Sequence, residues 1–337
     1  MILPGHGDSA RYVQMRQDNT RLRETLDRLT SEMSTGRKAD ISSAVGIDMT
    51  AFSHIRRQLR LNESFATGLG NAAMMASTRQ NTLDRLTADL EGFGSDILSV
   101  IGNTPNTLKI RLADAPERFE SAIMSLNTQI NDQFLFSGDT PDQPALAAPE
   151  DILAPLRAIV AGAVDSNAAI TAIDAWFQNG GDYDTVAALG SATGGGDVFA
   201  HEGQTIDAGV TVHETGIRRA LSGLAMAAIA SEGIFPGGTD PDVARFDLAN
   251  AAAHRMLHSE SEIIDIRARL GAAEGRIEEA RVQTEATRTT LELEEGRLVN
   301  ADPYATATEI EAVSLQLESL FLLTSRLSNL SLSNYLR

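Results

Sequence analysis

The sequence predicts a mainly α-helical protein: an elongated bundle of long N- and C-terminal coiled-coil helices, with a small middle α+β insertion that contains a β-hairpin. Two observations predict this class. Apolar residues recur at steps of three and four through both ends of the 337-residue chain, which is typical of helices that pack against other helices. Residues 139–250 instead hold prolines, glycine-rich stretches and one alternating segment, which indicates shorter elements.

The N-terminal side predicts three helices in succession. The first carries apolar residues on two rows of seven-residue spacing, namely Met15, Leu22, Leu29, Leu26 and Met33, and it ends at STGRKAD (34–40). The second has an apolar row from Phe52 to Leu90, with polar interruptions at Asn62 and Gln80. The third begins at Pro116 and continues its helical spacing to Phe134.

The C-terminal side mirrors this pattern with one strict seven-residue row: Met256, Ile263, Leu270, Ile277, Leu291 and Leu298, interrupted by Thr284. A helix over residues 254–298 is about 65 Å long, whereas a compact sphere of this chain is about 50 Å across. We therefore expect an elongated molecule. Asp302 and Pro303 end this helix, and a last one follows through Leu327.

The middle region predicts helices over residues 152–164 and 168–177, a hairpin near 197–213 and a further helix from Thr215. The chain is accordingly divided into three parts. Residues 1–50 and 300–337 form terminal helices, 51–138 and 250–299 form a coiled-coil rod, and 139–249 form an acidic outer domain.

Charge and composition exclude several classes of protein. The net charge is −18 and there is no cysteine, which removes disulfides, thiolate zinc sites and cysteine nucleophiles. Residues 1–60 carry a net charge of +3, whereas 139–250 carry −12, so a broad basic surface for nucleic acid is not expected. No apolar run reaches the roughly 20 residues that span a bilayer, and the N-terminus does not read as a cleaved signal peptide.

Few residues offer chemistry, and no catalytic, cofactor or metal site is predicted. His254, His258 and Glu262 share one helical face at metal-ligand spacing, but a structural role is favoured because no second ligand helix is identifiable. The glycines 194–196 lack the lysine and the preceding strand of a phosphate loop. Trp176 with Phe177 is interpreted as a core anchor, and His201 and His213 as solvent-facing strand residues. The sequence therefore gives no case for an enzyme.

The outermost helices carry more apolar surface than two helices bury in each other. We expect the surplus to pack between molecules. The predicted assembly interface consists of Met15, Leu22, Leu26, Leu29, Met33, Leu317, Leu320, Phe321, Leu327, Leu330, Tyr335 and Leu336, and Leu322 and Leu323 add to the surplus.

Three segments resemble a known family. LTSEMSTGRKADISSAVGIDM (29–49) resembles the flagellin pattern of an apolar helix that ends in Ser/Thr-Gly-Arg/Lys. QFLFSGDTPDQPAL (133–146), with Phe134, Leu135, Phe136, Ser137 and Gly138, is similar to a segment of the hook–filament junction protein, or hook-associated protein 3. The C-terminal LTSRLSNLSLSNYLR resembles the ending of that family.

The resemblance implies a structural subunit of the bacterial flagellum at the hook–filament junction, with its terminal helices in an inner tube and its middle region outside. It implies self-association in a ring or helical layer, and contacts with the other junction protein, flagellin and an export chaperone. It also implies an extracellular protein that passes through the flagellar secretion channel without a cleaved signal. Two alternatives stay open: flagellin itself, and a coiled-coil adaptor or signalling protein unrelated to flagella.

Overall fold

The computed structural model describes residues 6–42, 46, 49–194, 196–201 and 204–335, and side chains over 13–42, 46, 49–194, 196–200 and 204–326. The predicted mainly helical fold with a small strand insertion is confirmed. The chain divides into two compact units. Unit 1 comprises Met1–Glu63 and Ala286–Arg337, and unit 2 comprises Ser64–Glu285.

Helices account for most of the described elements. They are α1 (His6–Thr35), α2 (Met49–Val100), α3 (Pro105–Leu112), α4 (Ala115–Leu126), α5 (Pro149–Gly162), α6 (Ser166–Phe177), α7 (Thr215–Glu232), α8 (Pro241–Val299) and α9 (Pro303–Tyr335). Two antiparallel hairpins join β1 (Gln129–Ile130) to β2 (Gln133–Phe134) and β3 (Asp197–His201) to β4 (Gln204–Asp207). A π-helical turn covers Tyr183–Ala187.

The predicted apolar rows of the long helices face the interior of unit 2. On α8, Met256, Ile263, Leu270 and Ile277 are all buried, as are Leu69, Leu83 and Leu90 on α2. The two helices approach closely where a Cβ on Gly94 would lie 3.3 Å from the Leu257 side chain. The seven-residue spacing is therefore a packing signal, as coiled-coil geometry predicts.

The helix α7 lies at the centre of unit 2, and all its residues from Gly216 to Ala230 except Arg219 are buried. Two glycines let it approach α8, because a Cβ on Gly216 would meet Glu262 at 2.9 Å and one on Gly223 would meet the Ala252 carbonyl at 2.9 Å. A glycine inside a helix costs about 0.5–1 kcal/mol relative to alanine, and the close packing offsets that cost.

The prediction of a helix through Phe134 is wrong. The helix α4 ends at Leu126, and the chain then forms the β1–β2 hairpin with Ile130 opposite Gln133. Asn131 and Asp132 connect the strands at φ values of 51° and 60°, the left-handed pair that a type I′ turn needs. Ile130 and Phe134 keep the helical spacing only by coincidence.

The second hairpin is confirmed, but it is shorter than predicted. Val198 pairs with Ile206, and β4 ends at Asp207 rather than near residue 213. The Asp207 carboxylate accepts a hydrogen bond from the Gly209 amide at 2.8 Å, which turns the chain away. The apolar residues that continue the alternation, Val210 and Val212, are buried in the core instead of extending the strand.

Unit 1 is built around the antiparallel ends of the chain. The break predicted at 34–40 is confirmed: α1 ends at Thr35, and Gly36 follows at a φ of 68°. The Gly36 carbonyl accepts from the Ala301 amide at 3.0 Å, and the Val299 carbonyl accepts from the Lys38 amide at 2.9 Å. These bonds tie the end of α1 to the turn between α8 and α9.

Candidate assembly surface

The helix α9 packs one side against α1. Leu317 is buried and Leu320 and Thr324 are half-buried, at the three- and four-residue spacing of one helical face. On α1, Leu29 is almost completely buried. This pairing uses the apolar residues that lie on the facing sides of the two helices.

A second apolar face of α9 is left in water. Leu315 is 64% exposed, Leu322 57%, and Phe321 and Leu323 53% each. Because successive helix residues are about 100° apart, the run Leu320–Leu323 covers nearly the whole circumference, and one partner helix buries only part of it. We call Leu315, Phe321, Leu322 and Leu323 the outer face of α9. Phe321 lies at its edge, because the Arg23 guanidinium of α1 is 5.8 Å from the centre of its ring. Such an exposed apolar run is typical of an interaction surface.

The predicted interface residues therefore divide by exposure. Met33 and Phe321 are exposed, Met15, Leu22, Leu26 and Leu320 are half-buried, and Leu29 and Leu317 are buried within unit 1. Leu327, Leu330, Tyr335 and Leu336 lie outside the residues whose side chains are described. Leu315 and Val13 are also exposed and were not predicted from the sequence; the signal for Leu315 was its position seven residues before Leu322.

The turn beneath this pair is fixed by polar contacts within unit 1. The buried Glu32 carboxylate accepts from Arg28 at 2.7 Å and from the Ala39 amide at 3.1 Å. Glu295 accepts from Arg56 at 3.0 Å and pairs with Arg37 at 3.4 Å. These contacts hold the ends of α1 and α8 in one arrangement, so the outer face of α9 is presented on a fixed support.

The FLFSG segment (Phe134–Gly138) is a structural junction within unit 2, and its last four residues are buried. The Phe136 carbonyl accepts from the Val212 amide at 3.2 Å, and the Ser137 carbonyl accepts from the Ser191 amide at 2.8 Å. The Ser137 hydroxyl donates to the Gln143 carbonyl at 2.7 Å. The segment thus joins the loop after β4 to the loop at residues 189–193.

Gly138 is required by the geometry at this point. Its φ is 62°, and a Cβ there would lie 2.5 Å from the Ser191 carbonyl oxygen and 2.7 Å from that of Thr193. Both the left-handed backbone and the close approach exclude a side chain.

Arg79 of α2 anchors the segment and was not identified from the sequence. Its guanidinium donates to the Leu135 carbonyl at 2.8 Å and to the Ala208 carbonyl at 3.2 Å. Burial lowers the pKa of Arg79 to about 10, although the nearby Asp207 carboxylate opposes the shift. The apolar spacing did not indicate this role, because the predicted row ran through Gln80, whereas Arg79 occupies the buried position between Ala76 and Leu83.

The middle region also holds the aromatic and histidine residues that were singled out from the sequence. Trp176 is buried and makes an edge contact with Phe177 at 4.7 Å, which confirms it as a core anchor. The prediction for His213 is wrong: it lies before α7, half-buried, with Nδ1 3.0 Å from Asp184 and Nε2 3.1 Å from the Gly190 carbonyl. The side chain of His201 lies outside the described ones.

The row His254, His258 and Glu262 does not converge on a metal. His258 Nδ1 lies 2.7 Å from the His254 carbonyl, and Glu262 pairs with Arg219 at 2.9 Å. Over the part of the chain that the structure describes, no group of three histidine or carboxylate side chains is placed to hold a metal ion. Within the same residues, no helix has the length and apolarity needed to cross a bilayer.

Comparison with known proteins shows what these helices are similar to. Residues 259–336 match the family model of the bacterial flagellin C-terminal helical region. No curated protein matches the chain. Among solved structures, a protein described as a flagellar hook-associated protein of Vibrio parahaemolyticus shares the fold with a TM-score of 0.52 and 13% identity, over 76% of this chain and 100% of that one. The predicted resemblance to flagellin-family and hook-associated proteins is confirmed, for the C-terminal helical region by the family model and for the fold by the solved structure.

Proposed function

We propose that this chain, whose C-terminal helices are of the flagellin type, is the structural subunit that joins the flagellar hook to the filament. The outer face of α9 carries this proposal, because it is an apolar surface on the helix that the flagellin model matches. In the assembly, this face packs against the terminal helices of neighbouring copies.

The size of the exposed surface supports association. Full burial of a leucine or phenylalanine side chain contributes about 1.5–3 kcal/mol. The four residues of the outer face are each about half exposed, so their remaining burial is worth about 1 kcal/mol apiece. Two copies pay a large entropic cost to associate through such a patch. A ring or helical layer, in which each copy contacts several neighbours, gains more than a dimer does.

The partners follow from the same proposal. The terminal helices, 1–50 and 300–337, form the inner layer, and residues 139–249 face outward. The net negative charge of residues 139–249 discourages lateral association between filaments. The other junction protein, flagellin and an export chaperone are the proposed partners, and secretion through the flagellar channel without a cleaved signal is the proposed route.

A filament subunit is the second candidate, since the matched model is that of flagellin. The two functions differ in copy number: a junction subunit is present in a fixed number per filament, whereas a filament subunit accumulates with filament length. The coiled-coil adaptor hypothesis instead predicts a chain absent from the flagellar fraction.

The double variant Leu322→Asp/Leu323→Asp tests the role of the outer face. Both side chains are exposed, so the isolated chain should keep its helical circular dichroism and its unfolding midpoint, while cells that carry the variant lose filament attachment and motility. Leu189→Asp is the matched control, because Leu189 is also an exposed leucine but lies in unit 2. Normal motility with the double variant, or equal loss with the control, would contradict the proposal.

A further inference from the structure

An open cavity of about 700 Å³ lies in unit 2, lined by residues of α6, α7 and α8. Its volume is that of a small-molecule site, and its lining is mostly polar. Three arginines line it, Arg218, Arg219 and Arg255, against one carboxylate, Asp174. Nothing in the assembly role of the terminal helices uses this cavity.

The charge of the lining contrasts with its surroundings. Residues 139–250 carry a net charge of −12 and only four basic residues, Arg157, Arg218, Arg219 and Arg245. Two of these four, Arg218 and Arg219, line this cavity, and Arg255 of α8 lines it as well. Each of these arginines also has a carboxylate partner, Asp184, Glu262 or Asp174. The attraction for an anionic ligand therefore comes from the guanidinium donors that these pairs leave unused.

Two of the arginines form the wall of the cavity. Arg255 makes a two-point ion pair with Asp174. Arg218 pairs with Asp184 at 2.5 Å, donates to the His213 carbonyl at 2.9 Å and stacks over the Tyr183 ring at 4.8 Å. These contacts fix both guanidinium groups in place.

Arg219 is the arginine best placed for a ligand. Its side chain is 40% exposed, and its ion pair with Glu262 engages one terminal nitrogen at 2.9 Å. Thr215, Arg219 and Ser222 lie at positions i, i+4 and i+7 of α7, so they share one face of the helix, and all three line the cavity.

Ser222 gives an independent indication of a ligand. The residue is 3% exposed, and its hydroxyl oxygen has no hydrogen-bond partner among the described residues. Leaving a buried hydroxyl unpaired costs about 1–3 kcal/mol. In addition, no side chain caps the first turn of α7, where Thr215 borders the cavity, and the N-terminus of a helix favours anions.

We propose that this cavity binds a hydroxylated organic anion of the sugar-acid or sugar-phosphate class. The carboxylate or phosphate group accepts from Arg219 and from the first turn of α7, and a ligand hydroxyl pairs with Ser222. The polar lining suits a hydroxylated body rather than an apolar one.

Calorimetric titration of the full chain at low salt with glucuronate, glucose 6-phosphate and glucose tests the proposal. Binding of either anion without binding of glucose supports it, and the two anions distinguish a carboxylate from a phosphate site. Arg219→Met should weaken binding about tenfold or more, since it removes a charge-assisted hydrogen bond. Arg157→Met, which removes the same charge from the same region away from the cavity, should leave the affinity unchanged.

Ser222→Ala separates a ligand role from a folding role. Because the hydroxyl is unpaired, this variant should be as stable as the parent or more stable, yet bind the anion more weakly. The proposal is overturned if neither anion binds at millimolar concentration, if glucose binds equally well, or if Arg219→Met and Ser222→Ala leave the affinity unchanged.

Discussion

Replacing Gly138 by alanine should destabilise unit 2 strongly. The cost should exceed that of the same change at a left-handed glycine with free space around it. At Gly138 the new Cβ would lie 2.5 Å and 2.7 Å from two carbonyl oxygens, at a φ of 62°. The left-handed backbone alone costs a non-glycine residue about 1–2 kcal/mol. The segment must also move, which weakens the bonds from the Ser191 amide to Ser137 and from the Asp139 amide to Thr193.

The total loss of stability is the sum of the backbone cost and the cost of the weakened hydrogen bonds. Each of the two backbone hydrogen bonds is worth about 1 kcal/mol, so Gly138→Ala should cost about 3–4 kcal/mol in the free energy of unfolding. Gly102→Ala is the matched control, because Gly102 has a φ of 93° and nothing within 4 Å of the added Cβ. It should cost only the backbone contribution, about 1–2 kcal/mol.

The assay is urea unfolding and thermal unfolding, both followed by tryptophan fluorescence. Trp176 is the only tryptophan of the chain and is buried in unit 2, so its emission reports on that unit. For a unit of about 220 residues, a further loss of 2 kcal/mol lowers the melting temperature by about 4–8 °C relative to the control. Equal losses in the two variants would refute the argument that the carbonyl oxygens exclude a side chain.

Three further predictions concern unit 2 and use the same fluorescence assay. Arg79→Met should cost about 3 kcal/mol or more, since it leaves the Leu135 and Ala208 carbonyls without their charged donor; a loss below 1 kcal/mol would mean that Arg79 does not anchor the FLFSG segment. Asp132→Gly should stabilise by about 0.5–1 kcal/mol, because glycine adopts the left-handed φ of 60° at no steric cost; a loss of stability would contradict the turn geometry. Desolvation alone would raise the pKa of Asp184, but hydrogen bonds from Arg218, the Gly180 amide and His213 outweigh it and hold that pKa below its usual range. The carboxylate therefore stabilises the fold above its unfolded pKa, and the contribution is lost as the pH falls through the lower pKa of the folded state. Asp184→Asn should therefore cost stability at pH 6 and less at pH 3, and an equal cost at both values would be evidence against this linkage.

The long helices were predictable because their signal is local and repeated. The row from Met256 to Ile277 keeps its seven-residue spacing without interruption, and every member is buried. The turn at Gly36 and the break at Pro303 were equally readable, since glycine and proline constrain the backbone directly.

The errors have two physical origins, a local turn that the helical spacing hides and contacts between distant parts of the chain. The end of α4 at Leu126 depends on the β1–β2 turn, which the helical spacing of Ile130 and Phe134 concealed. The surroundings of His213 depend on Asp184 and Gly190, which are 29 and 23 residues away in the sequence. No periodic pattern encodes such pairings.

The exposure of the predicted interface residues could be read from the sequence only in part. Leu29 and Leu317 belong to the pair that the monomer buries, whereas Phe321, Leu322 and Leu323 remain exposed. The sequence indicates how much apolar surface the terminal helices carry, but the side of α9 that faces α1 is set by the turn at residues 36–39 and 299–301.

The copy number of this chain per filament is the most direct test of the junction proposal. Sheared flagella are fractionated by filament length, and the chain is quantified by mass spectrometry against the filament protein. The proposal predicts that the chain is present in every fraction at a number per filament that does not change with length. An amount that rises in proportion to length would identify a filament subunit instead, and absence from the fraction would contradict a flagellar role.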